Sequence, residues 1–203
     1  MEKNFGIENE TRKHIGMVSN LISCMVNELL MRSITHDSSK LEEPECSIFE
    51  QYSESYKNAI VGSQEKKDIL VNMKPAFDHH LKVNRHHPEY FVLNNKDLKL
   101  EHAISQFSVI DLIQMFLDWI ATSKRQNLNT FDFLDSMAKK YNLNVQLLQI
   151  FRNTIPILDQ YLNNIKTVAN LTQECDEIFA MNNNTVNHFD SSGQLVETET
   201  INK

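Results

Sequence analysis

Hydrophobic residues recur at three- and four-residue intervals along most of this chain, the spacing that places them on one face of an α-helix. The longest such series predicts a first helix over residues 8–32. Its apolar members are Ile15, Val18, Leu21, Ile22, Met25, Val26, Leu29 and Leu30. His14 comes one position before the series begins, and residues 33–40 form the junction that follows the helix.

Proline and glycine mark the limits of the helices that follow. Pro44 suits the first turn of a second helix, which the pattern predicts to run to about residue 56. A Gly-Ser pair at 62–63 marks a loop, and residues 66–84 are predicted to be helical, with Pro75 as a kink or a restart. Residues 98–124 then form the most apolar helical region of the chain.

The scarcity of chain-breaking residues supports an all-α fold, since the 203 residues include only 4 Gly and 4 Pro. We predict one domain of five to seven helices with a metal site between them. Its core covers residues 1–125, and its closing helices lie within residues 126–180, over 131–141 and 145–162. Beyond them, residues 181–203 are rich in Asn, Ser, Thr and Glu and predict a disordered polar tail.

Composition and charge restrict the partners of the chain. The formal net charge is -7 without a basic tract, which argues against general binding to the nucleic-acid backbone. The polar N-terminus lacks a signal-peptide pattern, and no apolar run approaches the length of a membrane span. The three cysteines are far apart and show neither zinc-finger nor disulfide spacing. These features predict a cytoplasmic protein without a membrane partner, and they leave a homo-oligomer open.

Histidine and aspartate supply the chemistry that stands out from this ordinary composition. His36 and Asp37 are adjacent, which offers an imidazole and a carboxylate from neighbouring backbone positions, and Lys40 follows closely. Four of the eight histidines lie close together, at His79, His80, His86 and His87. Each imidazole needs partners for two nitrogens, so this density indicates a metal centre rather than packing.

Helical geometry limits which of these side chains can share one point. Adjacent residues on a helix diverge by about 100°, so at most one histidine of each doublet is expected to bind a metal directly. Asp111 and Asp118 are seven residues apart in the most apolar helix, two turns along one face. A carboxylate there needs a cation or hydrogen-bond donors, so one is predicted to be a ligand and the other an acceptor in the core.

The segment His36-Asp37-Ser38-Ser39-Lys40 resembles the His-Asp-x-Gly-Lys signature of the HD-domain superfamily of metal-dependent phosphohydrolases. The order of an upstream His14, the His-Asp pair and a later helical Asp also resembles that superfamily. The resemblance implies an HD-like helical fold that holds one or two divalent ions, such as Mn²⁺, Mg²⁺, Fe²⁺ or Zn²⁺. Ser39 stands where the superfamily often has Gly, so the loop after the ligands departs from the pattern.

Six elements of the chain carry a tighter resemblance to a second family. They are His14-Ile15, Arg32-x-x-x-His36-Asp37-x-Ser39-Lys40, Pro44-Glu45, Met73-Lys74-Pro75-Ala76-x-x-His79-His80, Asn84-Arg85-His86-His87-Pro88-Glu89 and Asp111-Leu112-Ile113-x-Met115-x-x-Asp118-Trp119. The family is DUF5662, a group of small proteins common in phages and large viruses. This resemblance predicts a phage or viral protein and implies no activity. Gln114 stands where close relatives are expected to carry Glu.

Residue chemistry and the two resemblances together assign roles to the candidate residues. The candidate metal ligands are His14, His36, Asp37, His79, His80, His86, His87, Asp111 and Asp118, and the HD resemblance favours His80 and His87 within their doublets. The candidate substrate contacts are Lys40, Asn84, Arg85 and Arg125, and the candidate catalytic residues are Asp37, Lys40 and Glu89. Glu89 is either a carboxylate that orients a histidine or a solvated charge, and the two arginines are either anion contacts or surface ion pairs.

The resulting hypothesis is a metal-dependent phosphohydrolase that acts on a nucleotide or nucleotide-like phosphoester through metal-activated water. The substrate class follows from the HD resemblance alone. Two alternatives stay open. One is an HD-fold di-iron oxygenase, since a histidine-rich ligand set suits iron, and the other is a non-catalytic protein that binds a nucleotide or a host factor.

Overall fold

The computed structural model describes the backbone of residues 5–183, 185–189 and 195–200, and the side chains of residues 6–165. Within these residues it contains seven α-helices and two short 3-10 helices, which confirms the all-α prediction. The α-helices are α1 (Phe5–Thr35), α2 (Glu45–Asn58), α3 (Gln64–Val83), α4 (Pro88–Asn94), α5 (Val109–Arg125), α6 (Thr130–Lys140) and α7 (Val145–Asn183). The 3-10 helices cover Ser38–Leu41 and Leu100–Gln106.

A short hairpin follows the last helix. Strand β1 (Thr185–Phe189) pairs antiparallel with strand β2 (Leu195–Thr200), with Thr185 opposite Thr200. The tail predicted over residues 181–203 includes both strands, and residues 184, 190–194 and 201–203 lie outside the described part of the chain. Disorder of that segment therefore stays a prediction.

The chain divides into two compact units, Met1–Leu148 and Gln149–Lys203. Every candidate site residue falls in the first unit, so that unit alone carries the chemistry discussed below. The predicted roles of residues 1–125 as core and 126–180 as closing helices stay predictions. Within the described residues, no helix combines the length and apolar character that crossing a bilayer requires.

Side-chain caps determine where two of the helices near the site begin. Ser63 accepts a hydrogen bond from the backbone N–H of Lys66 (3.1 Å) at the start of α3. At the start of α5, Ser108 and Asp111 form a reciprocal capping box. This cap divides the helix predicted over residues 98–124 into a 3-10 helix and α5, because it ends the preceding segment at a new helix N-terminus. α3, in contrast, continues through Pro75.

Helices α2, α3 and α5 supply the buried side chains that position the site. Met73 of α3 belongs to an apolar cluster that also contains aromatic residues of α2. Met115 of α5 is fully buried, and the Trp119 ring stacks on Tyr141 with 5.6 Å between ring centroids. This packing holds the helix that carries Asp118 in a fixed orientation.

Helix α1 is longer than predicted and leaves much of its apolar face exposed. It ends at Thr35, so His36 directly follows the last helical residue. Ile15, Leu21 and Ile22 are 60%, 62% and 57% exposed, although a stripe of this kind typically faces a core. The periodicity therefore predicted the helix but not the surroundings of its apolar face.

Candidate metal centre

Four side chains from three parts of the first unit converge on one point. Asp37 follows α1, His80 lies in the last turn of α3, and His86 and His87 precede α4. One potential ligand atom from each of the four lies within 4.8 Å of the other three. We call these residues, Asp37, His80, His86 and His87, the histidine cluster. All four were predicted ligands, and the structure brings them together.

The backbone at Asp37 has an unusual conformation that directs its carboxylate. Its φ of 56° and ψ of 17° place it in the left-handed region, where aspartate is tolerated better than most side chains. The chain then turns at once into the 3-10 helix Ser38–Leu41, and the Lys40 backbone N–H donates to the Asp37 carbonyl at 2.9 Å. This turn also brings the Lys40 Nζ to 2.5 Å from Asp37 Oδ2.

A tight turn after α3 returns the second histidine doublet to the first. The Asn84 backbone N–H donates to the His80 carbonyl (3.0 Å), and the His87 N–H donates to the Asn84 carbonyl (3.1 Å). Pro88 then begins α4 at a position where a missing N–H is harmless. The turn places His80 Nε2 2.9 Å from His87 Nε2. Because His86 and His87 lie in the turn and at the helix cap, both can face the cluster, contrary to the one-per-doublet expectation.

Two polar atoms of the cluster are buried without hydrogen-bond partners in the described part of the protein. They are Asp37 Oδ1 and His86 Nε2, which lie 3.3 Å apart. His80 Nε2 is 3.4 Å from the same carboxylate oxygen. Burying such groups unsatisfied costs about 1–3 kcal/mol each, and more for a charged group. One carboxylate and three imidazoles are donors that divalent transition metals accept, so the cluster fits a cation.

Burial favours the neutral imidazole at two positions of the cluster, His87 and His80. Desolvation, followed by the proximity of His86 and His80, lowers the pKa of His87 to about 3. Burial likewise lowers the pKa of His80. For Asp37, burial favours the protonated form, but His86 and Lys40 outweigh it and lower the pKa below the ordinary aspartate range. At neutral pH Asp37 therefore presents a carboxylate, and His80 and His87 present neutral imidazoles, the protonation states that metal binding requires.

The stability of the metal-free protein should fall as the pH is lowered from about 6.5 toward 4, in part because of His87. The unfolded His87 takes up a proton near pH 6.5, whereas the folded residue does so only near its pKa of about 3. Acid therefore favours the unfolded state across this interval. Urea denaturation in chelator at pH 7.5 and pH 5.0 measures the effect. The His87→Gln variant should show a smaller difference between the two pH values, and an equal difference would contradict the prediction.

His36 and Asp118 lie on the Oδ2 side of the Asp37 carboxylate. His36 Nε2 lies 3.6 Å from Asp37 Oδ2 and 3.6 Å from Asp118 Oδ1 on α5. Gln114 Nε2 is 3.2 Å from His36 Nδ1 and holds the ring from its other side. Interaction with Asp118 raises the pKa of His36 despite partial burial. Asp37 thus directs Oδ1 toward the histidines of the cluster and Oδ2 toward His36.

Asp111 occupies a different place from Asp118. Its fully buried carboxylate accepts hydrogen bonds from Arg32 Nη1 (2.6 Å), Arg85 Nε (2.9 Å), and the backbone N–H and hydroxyl of Ser108 (both 2.8 Å). These donors satisfy the carboxylate without a metal. Of the two predicted aspartates, the structure places Asp118 beside the cluster and gives Asp111 a role as acceptor in the core.

Three further candidate residues lie outside the cluster. His14 is exposed on α1, about 30 Å along the helix axis from Thr35. His79 is partly exposed and contacts Glu45 rather than the cluster. Glu89 Oε1 accepts hydrogen bonds from the Tyr141 hydroxyl (2.9 Å) and Lys140 Nζ (3.1 Å), and its buried Oε2 has no hydrogen-bond partner among the described residues, so no histidine there donates to Glu89. The structure therefore does not bring these three predicted residues to the metal centre.

Two cavities open beside the cluster, and they divide the predicted substrate contacts between them. One, of about 440 Å³, is lined by His36, Asp37, Lys40, Phe49, Phe77, His80, Leu81, His87, Asp118, Ala121, Thr122 and Arg125. The other, of about 470 Å³, is lined by His86 together with Asn84 and Arg85. Lys40 and Arg125 therefore share a cavity with most of the polar groups of the site, and Asn84 and Arg85 do not.

Sequence analysis missed Glu45, which the structure places directly behind the cluster. This residue is fully buried at the start of α2, and its two carboxylate oxygens accept hydrogen bonds from His79 and His80. In the sequence, Glu45 appears as part of the Pro44-Glu45 element of the family resemblance, which assigns it no role, and an acidic residue in a first helical turn has an ordinary explanation. Only its contact with two histidines distinguishes it.

Comparison with known families identifies a match over most of the chain. Residues 3–168, well over half of the chain, match a family described as being of unknown function, DUF5662. Neither the curated proteins nor the solved structures contain a match to the chain. HD-domain membership and a phage or viral source accordingly stay predictions from the sequence.

Proposed function

Since the chain belongs to DUF5662, a family of unknown function, we propose its function from the chemistry of its site: a metal-dependent phosphohydrolase acting on a nucleotide or nucleotide-like phosphoester. One observation carries the proposal. Asp37 Oδ1 and His86 Nε2 are buried and unpartnered in the described residues, at the point where His80 and His87 converge. Such a donor set calls for a cation, and a cation beside an open cavity is a catalytic centre in many hydrolases.

The donors suit one or two divalent ions. Asp37, His80, His86 and His87 would hold the first, and three imidazoles favour zinc or iron over magnesium. His36 and Asp118, with Asp37 Oδ2, would hold a second, for which manganese and magnesium are further candidates. A bound divalent ion supplies hydroxide near neutral pH by lowering the pKa of its water ligand.

Protein side chains of the 440 Å³ cavity would bind and orient the substrate. Lys40 and Arg125 supply the positive charge that phosphoryl oxygens require. Lys40 also contacts Asp37 Oδ2, so the same ammonium adjoins both the ligand carboxylate and the cavity. Phe49 and Phe77 form an edge-to-face pair, 5.5 Å between centroids, on the wall of this cavity. An apolar aromatic wall beside two cations matches the base and phosphate of a nucleotide.

A di-iron oxygenase is the second candidate, because the three imidazoles of the cluster suit iron as well as zinc. Metal analysis of protein purified without oxygen separates the two functions. Iron together with an oxygen-dependent product favours the oxygenase, whereas hydrolysis that proceeds equally without oxygen favours the phosphohydrolase.

Phosphoester hydrolysis by the metal-loaded protein should require the divalent ion and should depend on Lys40. A panel of nucleoside monophosphates and of cyclic and linear dinucleotides, assayed for phosphate release or strand cleavage, tests this expectation. Chelator should abolish turnover. Lys40→Ala should reduce it by roughly 10- to 1000-fold, the cost of removing one charge-stabilising donor, while metal content is kept.

Lys74→Ala is the matched control, because Lys74 is exposed on α3 and pairs with Asp78 away from the cavity. It should leave turnover unchanged. Equal turnover with and without chelator would exclude the metal-dependent mechanism. No turnover of any member of the panel by fully loaded protein would overturn the phosphohydrolase and leave the oxygenase or a binding protein.

A further inference from the structure

We propose that Glu45 is a positioning residue of the histidine cluster: its carboxylate fixes the tautomer of His80 and directs the His80 Nε2 lone pair toward Asp37. The inference rests on the metal-binding part of the proposed function and is independent of the reaction that the site performs. It assigns a role to a residue that lines neither of the two cavities beside the cluster.

The contacts of Glu45 are those of a group that has no access to water. The residue has no exposed surface, yet it carries a carboxylate, whose burial is costly without strong donors. Its Oε1 lies 2.7 Å from His79 Nδ1, and its Oε2 lies 2.9 Å from His80 Nδ1. Each oxygen thus meets one ring of the first histidine doublet, and the short distances are typical of charge-assisted hydrogen bonds.

These contacts determine where the His80 proton lies. An ionised carboxylate only accepts, so the ring nitrogen facing it must donate, and Nδ1 carries the hydrogen. Asn84 Nδ2 is also 3.0 Å from His80 Nδ1, but its two hydrogens are directed to Ser39 Oγ (2.7 Å) and the His80 carbonyl (3.0 Å). Asn84 therefore does not compete with Glu45 for that nitrogen.

The remaining nitrogen of His80 is then an acceptor aimed at the cluster. In a neutral imidazole with hydrogen on Nδ1, Nε2 carries the lone pair, 3.4 Å from Asp37 Oδ1. Two acceptors face each other there, which is repulsive without a cation or a donor between them. His87 Nε2, 2.9 Å away, is placed to donate to His80 Nε2 when no metal is bound. Glu45 therefore prepares the lone pair that a cation would take.

His79 provides a natural control for this role. It binds the other oxygen of Glu45 and contributes no ligand atom to the cluster. Removing it leaves the contact between Glu45 and His80 in place, whereas altering Glu45 affects both histidines. If the buried network only supports the fold, variants at His79 and at Glu45 should weaken metal binding alike. If Glu45 fixes the tautomer of His80, only the Glu45 variant should change that tautomer.

The first test is made on the wild-type protein. Long-range ¹H–¹⁵N NMR of the metal-free, full-length protein should show His80 with protonated Nδ1 and unprotonated Nε2, the assignment being made with His80→Gln. A His80 ring protonated on Nε2 instead would overturn the proposal. This result does not depend on whether any substrate is hydrolysed.

The second test measures zinc binding by calorimetry. Glu45→Gln should raise the zinc dissociation constant about 10- to 100-fold, the range found for outer partners of metal-binding histidines, and should remove the Nδ1–H signature of His80. His79→Gln and the exposed control Glu43→Gln should keep wild-type affinity and the His80 signature.

Wild-type affinity in Glu45→Gln would overturn the proposal, as would an equal loss in His79→Gln. If Glu45→Gln does not fold, the NMR result on the wild-type protein decides. Wild-type protein that binds zinc as described but hydrolyses nothing would reject the proposed reaction and leave the role of Glu45 intact.

Discussion

Replacing Asp37 with asparagine should abolish high-affinity binding of divalent metal. Asp37 supplies the only carboxylate of the histidine cluster, and its Oδ1 lies 3.3 and 3.4 Å from the Nε2 atoms of His86 and His80. The substitution removes the negative charge that balances the cation. We expect the zinc dissociation constant to rise more than about 100-fold, beyond the range for outer partners of metal ligands.

Asparagine is the appropriate replacement because the backbone at this position has a φ of 56°. After glycine, asparagine and aspartate adopt this left-handed conformation most readily, so the variant should fold. Asp78→Asn, at an exposed position of α3, is the matched control and should bind zinc like the wild type. Calorimetry and elemental analysis of both variants measure the effect. Full metal occupancy in Asp37→Asn would show that the cation lies elsewhere.

Replacing Asp111 with alanine should destabilise the fold by about 2–4 kcal/mol, because it removes charge-assisted hydrogen bonds from two partly exposed arginines together with the cap of α5. Its carboxylate joins Arg32 of α1 to Arg85, and it also caps α5 through Ser108. Removal leaves two guanidinium groups without their shared acceptor and the first turn of α5 without its cap. Urea denaturation with unchanged m-value measures the loss.

Asp68→Ala is the control for this prediction, because Asp68 is exposed on α3 and accepts a hydrogen bond from its helical neighbour Gln64. Its effect should stay within about 0.5 kcal/mol, as for most surface substitutions. The metal affinity of Asp111→Ala, measured under conditions where the variant is folded, should remain close to wild type. A large loss of metal with little loss of stability would return Asp111 to the set of metal ligands.

The sequence predicted the helices well because helical periodicity is a local property. The pattern around Ile15 and Ile22 indicates α1 without knowledge of its neighbours. The break before α5 was missed, since the apolar residues continue across it and only the reciprocal bonds of Ser108 and Asp111 mark it. The cap can be recognised in the sequence only if Asp111 is assigned to it rather than to a metal.

The candidate site was predictable in part for a similar reason. Residue type identified Asp37 and the histidines, since few other side chains offer such donors. Which carboxylate of α5 lies beside them depends on the rotation of that helix against the rest of the unit, and both Asp111 and Asp118 fit the spacing. The role of Glu45 depends on contacts 34 and 35 residues away in the chain, with His79 and His80, which no local pattern encodes.

The continuity of α1 with the metal centre has a mechanical consequence. The helix runs unbroken for 31 residues, and His36 and Asp37 follow its last turn. At a rise of about 1.5 Å per residue, its far end lies roughly 45 Å from the cluster. His36 directly follows the last turn of α1, whereas Asp118 lies on α5, so any shift of α1 against α5 would change the 3.6 Å separation between these two side chains.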